Sequence, residues 1–242
     1  MYMLGISTFC LHSEPLLTAL DKLSPLTRLI EVMDEGMHYL DSSMPLQSYS
    51  NSFSIHAPSR GVNLASQLEP IRRASVEVTR ECMDIASDVG GQVIVHPGYF
   101  AWPEERQNSR KQFIISKEEL LSASVETSVP LYFENMGNWD YFFLKRPDEL
   151  EMIAGAGFAL DVGHAHENGC LTDFLSVPIN HFHLHDNNGK MDEHLAINEG
   201  TINFPEVIDS IRRNNANSII ESRTFEKVLK SLDILKERFQ FF

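Results

Sequence analysis

Short apolar runs and longer amphipathic runs alternate along the whole chain. The short runs lie at 3–9, 29–33, 53–58, 92–96, 130–134, 158–161, from His181 onward, and at 218–221. Each is four to seven residues of mostly apolar side chains, several closed by a proline, which predicts strands. Between them, 15–23, 69–89, 106–127, 147–156, 171–175, 205–214 and 225–239 carry helical spacing, and 37–49 is irregular or weakly helical. In 69–89 the apolar positions Ile71, Val76, Val78, Cys82, Met83, Ile85 and Ala86 follow a helical period and stop at Gly90-Gly91. Eight strands alternating with eight helical segments predict parallel strands joined by crossover helices. A chain of 242 residues suits one α/β domain, 1–242, folded as a (β/α)₈ TIM barrel, whose usual length is about 250 residues. An open doubly wound sheet is the competitor. It usually carries a glycine-rich phosphate loop after its first strand, and GISTFCLH has one glycine, placed before that point.

The polar residues that interrupt this pattern fall at strand ends. His56 closes the third strand, His96 the fourth, Glu134 the fifth, Asp161 the sixth, His183 the seventh and Glu221 the eighth. Chemistry in such barrels sits at the C-terminal ends of the strands, and buried charge is costly unless it is paired or meets a cation. His164 follows Asp161 by three residues. The stretch HFHLHDNNGKMDEH (181–194) alternates His181, His183 and His185 with Phe182 and Leu184, breaks at Asn187-Asn188-Gly189, and supplies Asp192 and His194. A solvated polar loop is one reading of that stretch. A metal site is the other, since imidazole with carboxylate suits zinc, manganese or iron.

Composition changes this picture in two ways. A formal charge of −14 repels phosphate backbones at long range, so nucleic acid would need a locally basic face or bound cations. Three well-separated cysteines, Cys10, Cys82 and Cys170, give no disulfide framework and fit a reducing compartment. No apolar run reaches the ~18 residues of a membrane span, and MYMLGISTF lacks a basic leader. These features lead us to expect a cytoplasmic protein with no membrane partner.

The ordered set His56, His96, Glu134, Asp161, His164, His183, Asp192, His194 and Glu221 resembles the nine-ligand set of endonuclease IV, an apurinic/apyrimidinic endonuclease of the xylose isomerase-like barrel superfamily. Local strings agree: His96-Pro97-Gly98, Asp161-x-x-His164, His183-Leu184-x-Asp186, Asp192-x-His194 and Asn198-Glu199-Gly200-Thr201-Ile202. The resemblance implies up to three Zn²⁺: one on His56, His96 and Glu134; one on Glu134, Asp161, His183 and Glu221; one on His164, Asp192 and His194. It also implies that Glu134 and Glu221 orient an attacking hydroxide. His181 is then a core histidine deeper in the barrel, His185 a supporting or loop residue, and His12, His38 and His166 surface or supporting residues.

Departures from the family pattern keep other readings open. The chain is shorter than a typical endonuclease IV, and the loop after His56 reads Ala57-Pro58-Ser59-Arg60-Gly61, without a wedge. Aromatic loops at 98–103 and 139–143, with Trp102, could stack on a base or sugar, cover a small substrate, or form an interface. Arg60, Lys190 and Arg223 are the other candidate substrate contacts. Three functions remain: a zinc phosphodiesterase acting on abasic DNA or a small phosphoester; a sugar or sugar-phosphate isomerase or epimerase; a non-catalytic metal-binding barrel. The isomerases resembled here use one Mn²⁺ or Mg²⁺ on the equivalents of Glu134, Asp161, His183 and Glu221. They commonly carry an arginine shortly after the seventh-strand histidine, where this chain has Gly189 and Lys190.

Overall fold

A computed structural model describes residues 2–240; Met1, Phe241 and Phe242, inside the expected 1–242 span, lie outside the described residues. In chain order the elements are β1 (Leu4–Ser7), α1 (Leu16–Leu23), β2 (Leu29–Met33), α2 (Met44–Gln47), β3 (Ser52–His56), α3 (Glu69–Asp88), β4 (Val93–Val95), α4 (Arg106–Thr127) and β5 (Leu131–Glu134). They continue as β6 (Gly157–Asp161), α5 (Val162–Glu167), α6 (Leu171–Leu175), β7 (His181–Leu184), α7 (Phe204–Asn214), β8 (Asn217–Ile220) and α8 (Phe225–Phe239). The strands pair in parallel with their sequence neighbours, and β1 pairs β8, so the sheet is a closed barrel. The expected TIM-barrel class is therefore the observed one. Among the described residues no helix is long and apolar enough to cross a membrane.

The helices owe their place to one stripe each. Leu16, Ala19, Leu20 and Leu23 in α1, Phe204, Val207, Ile208 and Ile211 in α7, and Val228, Ser231, Leu232 and Leu235 in α8 are all buried. The spacing i, i+3, i+4, i+7 puts each set on one face against the barrel. Every large apolar side chain so buried stabilises by about 1.5–3 kcal/mol.

Three expectations are corrected. The first strand is shorter than 3–9, because the Ser7 side chain accepts from Phe9 N and turns Thr8–Leu11 into a 3-10 segment. The 147–156 segment is also 3-10, over Pro147–Ile153, rather than a regular helix. Helix α4 is long as expected, but its buried face includes Ser109, Ser116 and Lys117. Ser116 Oγ donates to Leu64 O at 2.8 Å and Lys117 Nζ to Ala154 O at 2.9 Å, so these polar groups bond backbone inside the packing. Helix α5 was unforeseen. It starts directly at the end of β6, and six residues of VGHAHE are too few to show a period.

Barrel closure depends on close approach at β1. A Cβ on Gly5 would lie 2.6 Å from Ile219 Cδ1 in β8 and 2.8 Å from Leu29 O in β2. Since one of those atoms is paired backbone, the wall cannot yield locally. Gly5→Ala is expected to destabilise the fold by about 1–3 kcal/mol, the usual range for overpacking. Urea denaturation of the two proteins checks it, and an unchanged midpoint would contradict the packing argument.

Candidate metal centre

The barrel turns the strand-end pattern into one cluster. His56, Glu134 and Asp161 are the last residues of β3, β5 and β6; His96 and Glu221 stand one residue past β4 and β8. His183 sits one residue before the end of β7, in register with Asp161 on β6. Glu221 still joins the barrel ladder, its N–H donating to Leu184 O at 2.9 Å. Among the described residues, five carboxylates and seven imidazoles form one connected network here. The carboxylates are Glu31, Glu134, Asp161, Asp192 and Glu221; the imidazoles are His56, His96, His164, His181, His183, His185 and His194.

Glu134 occupies the middle of this network. Its Oε2 faces His56 Nε2 at 3.0 Å and His96 Nε2 at 3.2 Å. Its Oε1 faces His183 Nδ1 at 3.3 Å and His164 Nδ1 at 3.4 Å. Burial alone would raise this carboxyl's pKa, but the imidazoles of His183 and His96 hold it well below the usual range. Asp161 behaves alike: burial opposes ionisation, His164 and His185 overcome it, and the pKa falls to about 2.

The Asp161-x-x-His164 spacing has a local cause. Asp161 is the N-cap of α5, accepting from His164 N at 2.7 Å, and the first turn brings the imidazole back beside its own cap. Asn135, which sequence reading passed over, pins both: it bonds Asp161 N and O through its amide, and its carbonyl accepts from His164 Nδ1 at 2.9 Å. Asp186 is an organiser of the loop. It accepts from Asn187 N, Gly200 N and Ile202 N, and so ties the 198–202 string to the end of β7.

Which imidazole nitrogen carries the proton follows from its partners, because a backbone carbonyl can only accept. His56 Nδ1 bonds Ala57 O at 2.8 Å, His164 Nδ1 bonds Asn135 O, and His194 Nδ1 bonds Glu221 O at 2.5 Å. In all three the Nε2 is left for the cluster. His194 Nε2 lies 2.8 Å and His164 Nε2 3.6 Å from Asp192 Oδ2, and His56 Nε2 faces Glu134. A bare lone pair against a carboxylate is repulsive unless a proton or a cation lies between them. Anchoring one ring nitrogen so that the other is presented is the usual arrangement of metal-binding histidines. The donor set therefore fits divalent cations, and ligand atoms converge in several groups: His56 with His96 and Glu134, Asp161 with His183 and Glu221, and His185 with Asp192 and His194.

His185 differs from the others. Its Nε2 lies 3.1 Å from both oxygens of Asp161, its ring stacks 3.9 Å from that of His194, and its Nδ1 has no partner. Gly163 makes the room, since a Cβ there would meet the imidazole at 1.9 Å. As a ligand through Nε2, the ring would bury an Nδ1–H without an acceptor, at a cost of about 1–3 kcal/mol. As an Nε2–H donor it orients Asp161, and although burial opposes a charge on the ring, Asp161 pushes its pKa up to about 9. His181 is fully satisfied, with Gln92 Nε2 at 2.9 Å from Nδ1 and Glu31 Oε2 at 2.9 Å from Nε2.

The four expected substrate contacts stand apart from this cluster. Arg60, Trp102, Lys190 and Arg223 are exposed, on segments following β3, β4, β7 and β8. All four are tethered through backbone: Arg60 N donates to Glu35 Oε2, Trp102 O accepts from Glu105 N, Arg223 N donates to His194 O, and Lys190 O accepts from Asn138 Nδ2. Three residues before Trp102 in the same loop, Tyr99 meets Trp139 from the loop after β5, with ring centroids 5.6 Å apart.

The family model for the xylose isomerase-like TIM barrel matches residues 45–242. The chain belongs to that family. An uncharacterized protein of Methanocaldococcus jannaschii is 32% identical over 246 residues, 97% of this chain and 98% of its own. A probable endonuclease 4 of Mycobacterium tuberculosis is 26% identical over 200 residues, 75% of this chain and 77% of its own. The crystal structure of a D-tagatose 3-epimerase-like protein superposes with a TM-score of 0.89 at 27% identity, covering 98% of this chain and 97% of that one. The family is one of enzymes, and both an endonuclease branch and an epimerase branch stand near this member.

The same pairs set a pH dependence for the metal-free chain. Burial opposes a charge on His56, but its bond to Glu134 prevails and pushes the pKa up to about 9. An unfolded histidine titrates near 6.5. The stabilisation is therefore complete below about pH 6.5 and is lost as pH rises through about 9. Chelator-treated protein is expected to show a falling Tm between those values, and saturating zinc to remove the fall. A flat metal-free profile would count against a charged His56–Glu134 pair.

Proposed function

We propose that this chain is a multinuclear divalent-metal phosphoesterase of the endonuclease IV type, cleaving a phosphodiester in abasic DNA or a smaller phosphoester. The observation that carries the proposal is Glu134, whose two oxygens face two different sets of imidazoles. A single ion held by Glu134, Asp161, His183 and Glu221 leaves His56, His96, His164, Asp192 and His194 without a task. In this reading His56, His96 and Glu134 hold one Zn²⁺, Glu134, Asp161, His183 and Glu221 a second, and His164, Asp192 and His194 a third. Bound ions of this kind neutralise a phosphoester and lower the pKa of water in the site.

The chain's own groups do the rest. Glu134 and Glu221 approach His183 Nδ1 at 3.3 and 3.2 Å. They are the carboxylates able to orient an attacking water and take its proton. The anchored imidazoles hold their positions without reorganising when charge develops. Arg60, Lys190 and Arg223, exposed on loops at the catalytic end, are the groups to meet further phosphates.

A second reading is a sugar or sugar-phosphate epimerase with one Mn²⁺ or Mg²⁺, in which Glu134 and Glu221 move protons on the two faces of the substrate. The D-tagatose 3-epimerase-like fold over 98% of the chain and the net charge of −14 favour it. Metal content separates the two: about three zinc equivalents against one Mn²⁺ or Mg²⁺.

Two variants test the proposal. Glu134→Gln keeps the volume but removes the shared charge, and is expected to lower turnover by at least ~100-fold, a typical scale for a group active in proton transfer, while the barrel still folds, with Tm lowered near neutral pH by loss of the His56 pair. Wild-type turnover with metal still bound would refute its role. The double variant Asp192→Ala/His194→Ala is expected to lose about one metal equivalent and most cleavage of an abasic duplex. Full zinc content with normal cleavage would refute the three-ion site, and epimerisation of a ketose by the wild type, kept by the double variant and lost in Glu134→Gln, would establish the second reading.

A further inference from the structure

A buried carboxylate that the proposed ion sites do not use stands directly behind them. Glu31 lies in the middle of β2, fully buried, in an otherwise apolar strand. A lone carboxylate in such a place is expensive unless compensated, and its partners are specific. Oε2 accepts from Ser54 Oγ at 2.8 Å and from His181 Nε2 at 2.9 Å. His181 is held in turn by the Gln92 amide at its Nδ1, an acceptor position that leaves its one proton on Nε2, toward Glu31. Oε1 lies 2.8 Å from His183 Nε2. That contact is short but poorly aligned, so Oε1 and both nitrogens of His183 lack a partner of hydrogen-bond geometry although all three are buried.

The other face of the His183 ring looks into the cluster. Its Nδ1 is 3.2 Å from Glu221, 3.3 Å from Glu134 and 4.0 Å from Asp161. His183 thus has a carboxylate behind one nitrogen and the proposed ion site before the other. His56, His164 and His194 are anchored by backbone carbonyls through Nδ1; His183 is turned over, with its Nε2 against a charged group at 2.8 Å.

We infer that Glu31 is a positioning residue that holds the His183 ring with its proton on Nε2, so that Nδ1 is the atom presented to the central ion. The inference rests on the multinuclear reading above. A carboxylate accepts from three donors at once, whereas an amide cannot: in Glu31→Gln the NH₂ must face either His183 or the position shared by Ser54 and His181, and although the Ser54 hydroxyl can turn to accept, each imidazole there is a donor. One contact breaks, and the ring nearest it loses its fixed tautomer. Partners of this kind typically matter by about 10- to 100-fold in metal affinity.

The test is zinc binding to purified full-length protein by competition with a chromogenic chelator, together with nitrogen-15 NMR of the histidine rings. Glu31→Gln is expected to bind one zinc equivalent about 10- to 100-fold more weakly, with the remaining equivalents unchanged. Ser54→Ala, which removes one neutral donor and leaves His183 facing Glu31, is expected to bind all equivalents as wild type does. In zinc-loaded wild type, His183 is expected to show a protonated Nε2 and a ligated Nδ1, a readout that holds even if Glu31→Gln fails to fold. Equal affinity of Glu31→Gln for every equivalent, or a ligated Nε2 on His183, would overturn the inference alone. A wild type that binds no zinc would overturn the multinuclear reading and this inference with it.

Discussion

Glu134 carries a full negative charge in the mouth of an apolar barrel, and much of the surrounding chemistry answers that charge. A carboxylate with 1% exposure cannot rely on water, so its stabilisation comes from imidazoles on β3, β6–α5 and β7 and just past β4. Those rings supply positive charge only when doubly protonated; a cation held between them and the carboxylate supplies it in place of the second proton. The same field that pushes His56 up to about 9 therefore attracts a divalent ion, and proton and ion compete for one place. This competition links the fold's stability to the chemistry proposed for it.

The supporting contacts have a common logic. On His56, His164 and His194 the Nδ1 is tied to an atom that can only accept: the carbonyls of Ala57, Asn135 and Glu221. Asp161 is held by its capping role, by Asn135 and by His185. Asp186 binds three backbone N–H groups and fastens the loop that follows Asp192 and His194. Positions set by backbone are rigid, and rigid charge positions are what electrostatic catalysis requires. The residues left exposed, Arg60, Trp102, Lys190 and Arg223, lie on loops, where members of one fold most readily diverge in substrate.

Much of the barrel could be read from local pattern because a strand wall and a helix stripe are local properties. The eight apolar runs became eight strands, and stripes such as Phe204, Val207, Ile208 and Ile211 became buried faces. Where local pattern was too short or mixed, reading failed: α5 has six residues, and the buried face of α4 contains Lys117, whose partner Ala154 is 37 residues away. The strand-end rule likewise gathered His56, His96, Glu134, Asp161, His183 and Glu221, since parallel strands of one barrel bring all their C-terminal ends to one rim.

The chain's own order of residues determined the barrel, its rim and the chemical kind of side chain that collects there. Tertiary structure decided which atoms meet. His181, His183 and His185 share one face of a strand in any sequence reading, yet they differ by depth: one bonds Gln92 and Glu31, one stands between Glu31 and the cluster, one lies against Asp161 and stacks on His194. Glu31 shows the same limit. A charged residue inside Leu29–Met33 signals that compensation must exist somewhere, but its partner His181 is 150 residues away. Only closure of the barrel and its register bring β2 and β7 across the interior to each other. Contacts of that kind depend on angles of a few degrees and distances of a few tenths of an ångström, which no local pattern along the chain encodes.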